Sequence, residues 1–509
     1  MNYGFVIDNG SCIGCHACST ACKSENQVPV GVARTWVKTV EVGHFPDVRR
    51  SFQVSRCNHC ANPPCVRSCP TSAMYRRPDG IVEFDGDACI GCKACLQACP
   101  YDAIYLDPET HTAAKCHYCS HRIDVGLEPA CVVVCPEHAI IAGDLDDPLS
   151  EISRILAANP VTVRKPEQGT APKVFYVDGH AAAQVPTSAA AGALFAASNV
   201  HTEQLRQHEL RVSEGGQGRP AGWPLAVGGR MAEHMVQVTW NQQHQIPWHW
   251  PIAAYLPTKH IAGATFALLG ASALMGQLDP VAMRWGGGFA LLNLAITLGL
   301  LVYDLDRPDR MIFLFTRPQW RSWVARAAWL LSAFAAVSVL WWTAELAGFA
   351  GLRIPFAVAA VPLGLGSAVY SAFLFAQAEG RDLWQSPHLP FAFTAQALAL
   401  GLGTLAAFGS VGAATSAFPL ALALSLAVML VGDLATPQAT EVARRGAWEM
   451  TRGRWKGWYG VGAVGLGHLA PLALLAGGAP PLIPLVLAAL GNFAWARAFT
   501  ASAQEIPNS

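Results

Sequence analysis

The chain has 509 residues, and at roughly 150 residues per domain that is a prior of about three domains. Charged residues make up 14%, against about 25% in ordinary soluble proteins, the apolar fraction is 52%, and 35 basic residues balance 35 acidic ones. The composition points to a bilayer and excludes a polyanion such as nucleic acid as partner. All 16 cysteines lie between Cys12 and Cys135, so two chemistries follow one another along the sequence. The opening MNYGFVIDNGS has no basic n-region, apolar h-region or twin arginine, and no export leader is expected from it.

Residues 1–180 read as one α+β unit. Its cysteines form four groups of four: Cys12, Cys15, Cys18, Cys22; Cys57, Cys60, Cys65, Cys69; Cys89, Cys92, Cys95, Cys99; and Cys116, Cys119, Cys131, Cys135. The third group is the C-x2-C-x2-C-x3-C-P run of bacterial ferredoxins, and sixteen thiolates satisfy four 4Fe-4S clusters. Structural zinc competes for an isolated pair of C-x-x-C steps but has no need of triple loops or a trailing Cys-Pro. In such runs three cysteines wrap one cluster and the fourth ligates a neighbour. The middle groups are a hairpin apart and are expected to pair: Cys57, Cys60 and Cys65 with Cys99, and Cys89, Cys92 and Cys95 with Cys69. The outer groups then close as Cys12, Cys15 and Cys18 with Cys135, and Cys116, Cys119 and Cys131 with Cys22. CPTSAM, CPYDAI and CPEHAI form an internal repeat of cysteine loop, helical turn and hairpin, with Pro78-Asp79-Gly80 as one hairpin turn.

With RCNHCANPPCVRSCPTSAM and DACIGCKACLQACPYDAI, this region resembles the four-cluster ferredoxin subunits of the dimethyl sulfoxide reductase and polysulfide reductase families. That resemblance implies a double-ferredoxin-like fold, the reciprocal pairing above, and a molybdopterin or tungstopterin catalytic partner on another polypeptide. Some relatives carry tryptophan at a third-group cysteine; here all sixteen positions are cysteine.

Residues 181–250 are rich in Pro, Gly, Gln and His and read as a connector along the domain or membrane surface. The run AAAGALFAAS at 189–198 is too short to cross a bilayer. From 251 to 500 eight apolar stretches follow, near 252–277, 285–303, 324–345, 354–377, 389–409, 415–433, 458–477 and 480–499, which predicts an all-α eight-helix transmembrane bundle with 501–509 as a tail. Twelve basic residues, among them Arg307, Arg310, Arg381 and Arg444, fall on the side shared with the N-terminus, against Arg284 and Arg353 opposite. By the positive-inside rule the iron–sulfur domain is then cytoplasmic, on a bacterial or archaeal cytoplasmic membrane; the periplasmic face is the alternative.

Ionisable groups in spans are costly and mark candidate sites. They gather on the cysteine-domain side: Lys259 and His260 early in the first span, Asp304, Asp306, Arg307, Asp309 and Arg310 at the exit of the second, Tyr370, Gln377 and Glu379 along the fourth. A quinone needs an apolar slot, donors at its carbonyls and a proton route, for which His260, Lys259 and Tyr370, with Asp304 and Arg307 beside them, are the candidates. Trp248 and Trp250 read as interfacial belt residues.

YDLDRPDRMIFLFTRP and YSAFLFAQAEGRDLWQSPHLPF resemble the NrfD-type membrane anchors. That resemblance implies eight helices, no haem, and quinol exchange at a site that includes a first-helix histidine, for which His260 is the fitting position. The sequence therefore reads as two subunits fused into one, relaying electrons between a pterin enzyme and the quinone pool, with substrate catalysis on the partner. Two alternatives remain: a cytochrome b-type bundle using His260, His388 or His468, and a passive anchor wiring soluble redox proteins.

Overall fold

A computed structural model describes residues 1–44, 47–180, 184, 244–410 and 412–508. Most of the predicted connector, including 189–198, lies outside the described residues.

The iron–sulfur half is built from short strands set between cysteine loops. They are β1 (Tyr3–Asp8), β2 (Thr35–His44), β3 (Asp47–Arg56), β4 (Met74–Arg76), β5 (Val82–Phe84), β6 (Ile104–Leu106), β7 (Ala113–Lys115), β8 (Ile140–Asp144), β9 (Val161–Thr162) and β10 (Val174–Val177). Each C-P-x-x-A-(M/I) copy leads into one of these strands. The first two copies do form hairpins, β4 with β5 around Pro78-Asp79-Gly80 and β6 with β7. The third departs from the predicted repeat. Its strand β8 joins β1 antiparallel, with Phe5 opposite Ala142, in a four-stranded sheet of order β8-β1-β10-β9. The apolar faces of Phe5, Ile7, Ile140 and Val174 close one core with Cys18 and Cys131, so this strand gains more from the N-terminal strand than from a local hairpin.

In the other half, seven helices are long and apolar enough to cross a membrane: Ala282–Tyr303, Trp323–Leu346, Ala350–Gln377, Leu389–Phe408, Ala413–Ala435, Trp458–Ala476 and Leu482–Glu505. The protein is a multi-pass membrane protein. The stretch predicted as the first span forms a helix of 25 residues, Trp250–Leu274, that falls outside those seven. Thr258, Lys259, His260, Thr265 and two prolines dilute its apolar character, and 18 of its 25 residues are buried. It packs against the helices at 282–303, 350–377, 389–408 and 482–505, so it is the core of the bundle rather than a lipid-facing rod. Gly263 and Gly364 let the 250–274 and 350–377 helices touch backbone to backbone; a Cβ on Gly263 would stand 2.6 Å from the Gly364 carbonyl.

Residues 501–508, within the predicted tail 501–509, are not free. The last helix runs to Glu505, and Asn508, 0% exposed, lies against the iron–sulfur half.

Candidate functional site

All sixteen cysteines are free thiols, twelve of them buried, and Cys15 is exposed. Three cavities have four cysteines each in their walls: Cys69, Cys89, Cys92, Cys95; Cys12, Cys15, Cys18, Cys135; and Cys22, Cys116, Cys119, Cys131. Cys57, Cys60, Cys65 and Cys99 gather as a fourth set, packed in one core with Cys69, Cys89 and Cys95. Among the described residues no three His, Cys, Asp or Glu side chains converge as for a single ion.

The loops that carry these thiols have a local cause. In Cys12-Ile13-Gly14-Cys15-His16 and Cys89-Ile90-Gly91-Cys92-Lys93 the glycine and the residue after the second cysteine both take positive φ, 69° and 61° in the first loop, 67° and 62° in the second. Left-handed residues turn successive N–H groups to one side, which makes a concavity suited to anions. N–H groups indeed reach sulfur: Gly91 and Ala113 donate to Cys89, each at 3.4 Å, Met74 to Cys69 at 3.4 Å and Ala139 to Cys135 at 3.2 Å. Burial pushes the Cys18 thiol up to about 11 and Cys22 up to about 12, so metal-free these thiols are neutral and metal must displace their protons. Four thiols per cavity, with donors aimed at sulfur and no competing disulfide, fit a cubane cluster.

The sets follow one another. Cys18 shares a core with Cys131, and Cys116 shares one with Cys57, Cys65 and Cys95. The order is therefore the Cys12 set with its exposed Cys15, the Cys116 set, the Cys57 set, and the Cys89 set against the bundle.

Residues 90–102 make the junction. Trp248 Nε1 donates to the Cys92 carbonyl at 3.2 Å, Lys93 Nζ to the Asp304 carbonyl at 2.6 Å, and Gln97 Nε2 to Gln504 at 2.5 Å. Trp248, read above as a belt residue, is 4% exposed and stacks on Trp384; its indole bonds the cysteine loop, and only Trp250, 49% exposed, keeps a surface position. Asp102, three residues after Cys99, is buried with His244 at 3.0 Å and Arg381 at 3.5 Å, and accepts from the Asn508 N–H at 2.7 Å. Burial pushes its carboxyl up, but the His244 and Arg381 charges outweigh that and hold it well below the usual range.

Of the predicted quinone-site residues, the structure brings Lys259 and Tyr370 together. Lys259 Nζ, 1% exposed, donates to the Ala368 carbonyl and to Ser371 Oγ, both at 2.8 Å, and stands 4.7 Å from the Tyr370 ring centroid. Tyr255 OH donates to the same Ser371 at 3.0 Å. His260 packs on Phe393, 5.4 Å between rings, with Asn492 and the Ala368 backbone as its polar neighbours. Asp304 and Arg307 do not join this group. Asp304 pairs with Lys93, and burial pushes its carboxyl up to about 7 against the pull of that lysine. Arg307 pairs with Asp309 at 2.8 Å and reaches the Thr110 carbonyl.

Sequence reasoning missed Ser371, whose only signal is adjacency to Tyr370. It also missed Asp433, which ends the sixth apolar stretch and accepts from Trp495 Nε1 at 2.8 Å. Of the two remaining histidines weighed as haem ligands, His468 bonds Ser425 and the Ala463 carbonyl with its two nitrogens, and His388 bonds the Val428 carbonyl.

Residues 48–145 match the 4Fe-4S dicluster domain family, residues 9–31 a 4Fe-4S binding domain, and residues 238–481 the NrfD polysulphide reductase family. The protein is similar to a polysulfide reductase component of Wolinella succinogenes, 46% identical over 178 residues, 34% of this sequence and 93% of the relative. It is likewise 46% identical over 179 residues to a tetrathionate reductase component of Salmonella typhimurium, 34% of this sequence and 72% of the relative. The arsenate respiratory reductase iron–sulfur subunit of a Shewanella species is 36% identical over 225 residues, 35% of this sequence and 96% of the relative.

Proposed function

The protein belongs to the iron–sulfur family that includes the Wolinella polysulfide reductase component and continues into an NrfD domain, and on that premise we propose that it relays electrons between a catalytic partner and a membrane quinone. Four 4Fe-4S clusters, when bound in the four cysteine sets, supply one-electron transfer along the line. Cys15, exposed at one end, faces the partner, a reductase catalytic subunit as the relatives' names indicate and, as the sequence resemblance implies, a molybdopterin or tungstopterin oxidoreductase. Trp248 and Lys93 hold the other end on the bundle. There Lys259, fixed by Ser371 and Ala368, keeps one N–H to donate to a quinone carbonyl, and His260, beside Asn492, accepts or returns the proton. The 250–274 helix is the eighth span. The excess of basic residues supports a cytoplasmic iron–sulfur half; Arg307, Arg310 and Arg381 bond that half, and the other nine still outnumber Arg284 and Arg353.

What supports this reading most is the seam, where the Cys89 set rests on the same end of the bundle that buries the Lys259 group. His260→Ala and Lys259→Met are each expected to lower quinone reduction about 100-fold, the scale of a lost proton-transfer group, while dithionite still reduces every cluster. Unchanged turnover in both variants removes the site. One observation favours a passive anchor instead: Lys259 and His260 are 1% and 0% exposed, closed to a ligand. In that case the solubilised complex reduces a soluble acceptor and never a quinone analogue.

A further inference from the structure

Arg56 ends β3, one residue before Cys57, and is 1% exposed. A guanidinium in a protein interior costs several kcal/mol unless an anion compensates it. Among the described residues no carboxylate does so. Nη1 donates to Cys131 Sγ at 3.0 Å, the guanidinium carbon lies 4.5 Å from the Phe5 ring centroid, and Nε and Nη2 have no hydrogen-bond partner. Across the hairpin stands Thr35, 1% exposed, its Oγ1 also without a partner.

The negative charge that balances Arg56 must therefore come from the sulfur side. Its guanidinium bonds Cys131 of the second set and lies over Phe5, which shares one core with Cys131 and with Cys18 of the first set, so it stands where the two sets meet. The other donors to cysteine sulfur among the described residues are neutral: backbone N–H groups, the Thr71 hydroxyl and the Asn26 amide, which reaches Cys22 at 3.6 Å and Cys119 at 3.8 Å. Among the described residues the Cys116 set alone has a full charge hydrogen-bonded to one of its thiols.

Cluster potential responds to local charge, hydrogen bonds to sulfur and exposure. Adding an electron makes a buried site more negative, and a fixed cation in a low-dielectric interior favours that form. We propose that Arg56 is a tuning charge that raises the reduction potential of the cluster bound by Cys22, Cys116, Cys119 and Cys131, making it an electron sink one step inside the exposed end. The proposal rests on the cluster reading given above.

The test is an anaerobic redox titration of the full-length protein in detergent, followed by electron paramagnetic resonance, with iron content measured alongside. Arg56→Gln is expected to keep wild-type iron. One midpoint should fall by at least a tenfold change in the reduced-to-oxidised ratio at fixed potential, which is 59 mV for a one-electron couple. Arg56→Lys, which keeps the charge, should restore most of the fall. Thr35→Asp leaves the arginine in place and pairs it, and should lower the same midpoint. Unmoved midpoints in iron-replete Arg56→Gln, or a fall that Arg56→Lys does not restore, overturn the tuning role. If Arg56→Gln does not load iron, Thr35→Asp decides: an unmoved midpoint overturns the proposal. A wild-type protein without iron–sulfur signals overturns the earlier reading instead.

Discussion

The two halves of this protein bury polar groups by opposite means. In the iron–sulfur half, thiols three and four residues apart are folded inward by left-handed turns at Gly14, His16, Gly91 and Lys93, and each of the three cavities draws three of its four cysteines from one stretch of sequence. In the bundle, the Lys259 group is assembled from residues more than 100 positions apart, and the lysine is kept inside by two hydrogen bonds from a neighbouring helix. A site written in local spacing tolerates rearrangement elsewhere in the molecule; one assembled by helix packing depends on contacts such as that between Gly263 and Gly364.

The contrast can be broken most sharply at the two ends of the cysteine line. Cys92→Ser is expected to remove about four irons, one cluster's worth, and to abolish reduction of the remaining clusters by quinol, because Cys92 belongs to the set that meets Trp248. Cys15→Ser should leave quinol-driven reduction intact and impair exchange with the partner; iron analysis and absorbance bleaching read both.

A smaller effect is expected where the halves meet. Asp102→Asn leaves Arg381, 2% exposed, without its buried counter-charge, for a loss of about 3–5 kcal/mol, read by hydrogen exchange at residues 97–106 and 504–508. The same carboxyl predicts the pH response. Its folded value lies below the unfolded value of about 3.9, so its contribution is complete above about pH 4 and is lost as pH falls toward the folded value. The junction should loosen in acid before the bundle melts.

Trp248→Leu removes the indole bond to the Cys92 carbonyl and the stack on Trp384, about 1–2 kcal/mol, and should appear as a lower midpoint of thermal dissociation of the halves. Trp250→Ala is the matched control. With Trp250 49% exposed, it should shift stability by less than about 0.5 kcal/mol.

The cysteine loops, the hairpins after Cys69 and Cys99 and the positions of the seven membrane-length apolar helices were legible in the amino-acid pattern, because turns and apolar spans are local in sequence. Three features were not. The strand after Cys135 pairs with β1, Trp248 lies in the seam rather than the belt, and residues 501–508 end as helix and buried strap rather than tail. Each depends on a partner more than 130 residues away, as Phe5 with Ala142, Trp248 with Cys92 and Asn508 with Asp102 are.

Residue order alone determined that four thiol sets precede a lipid-soluble bundle, since spacing and apolar length act within a few turns of backbone. Which cysteine set meets the bundle, that Arg56 bonds Cys131 with no carboxylate beside it among the described residues, and that Lys259 meets Ser371 were decided by packing. The energy of a buried charge depends on what surrounds it in space, and those neighbours come from distant parts of the polypeptide.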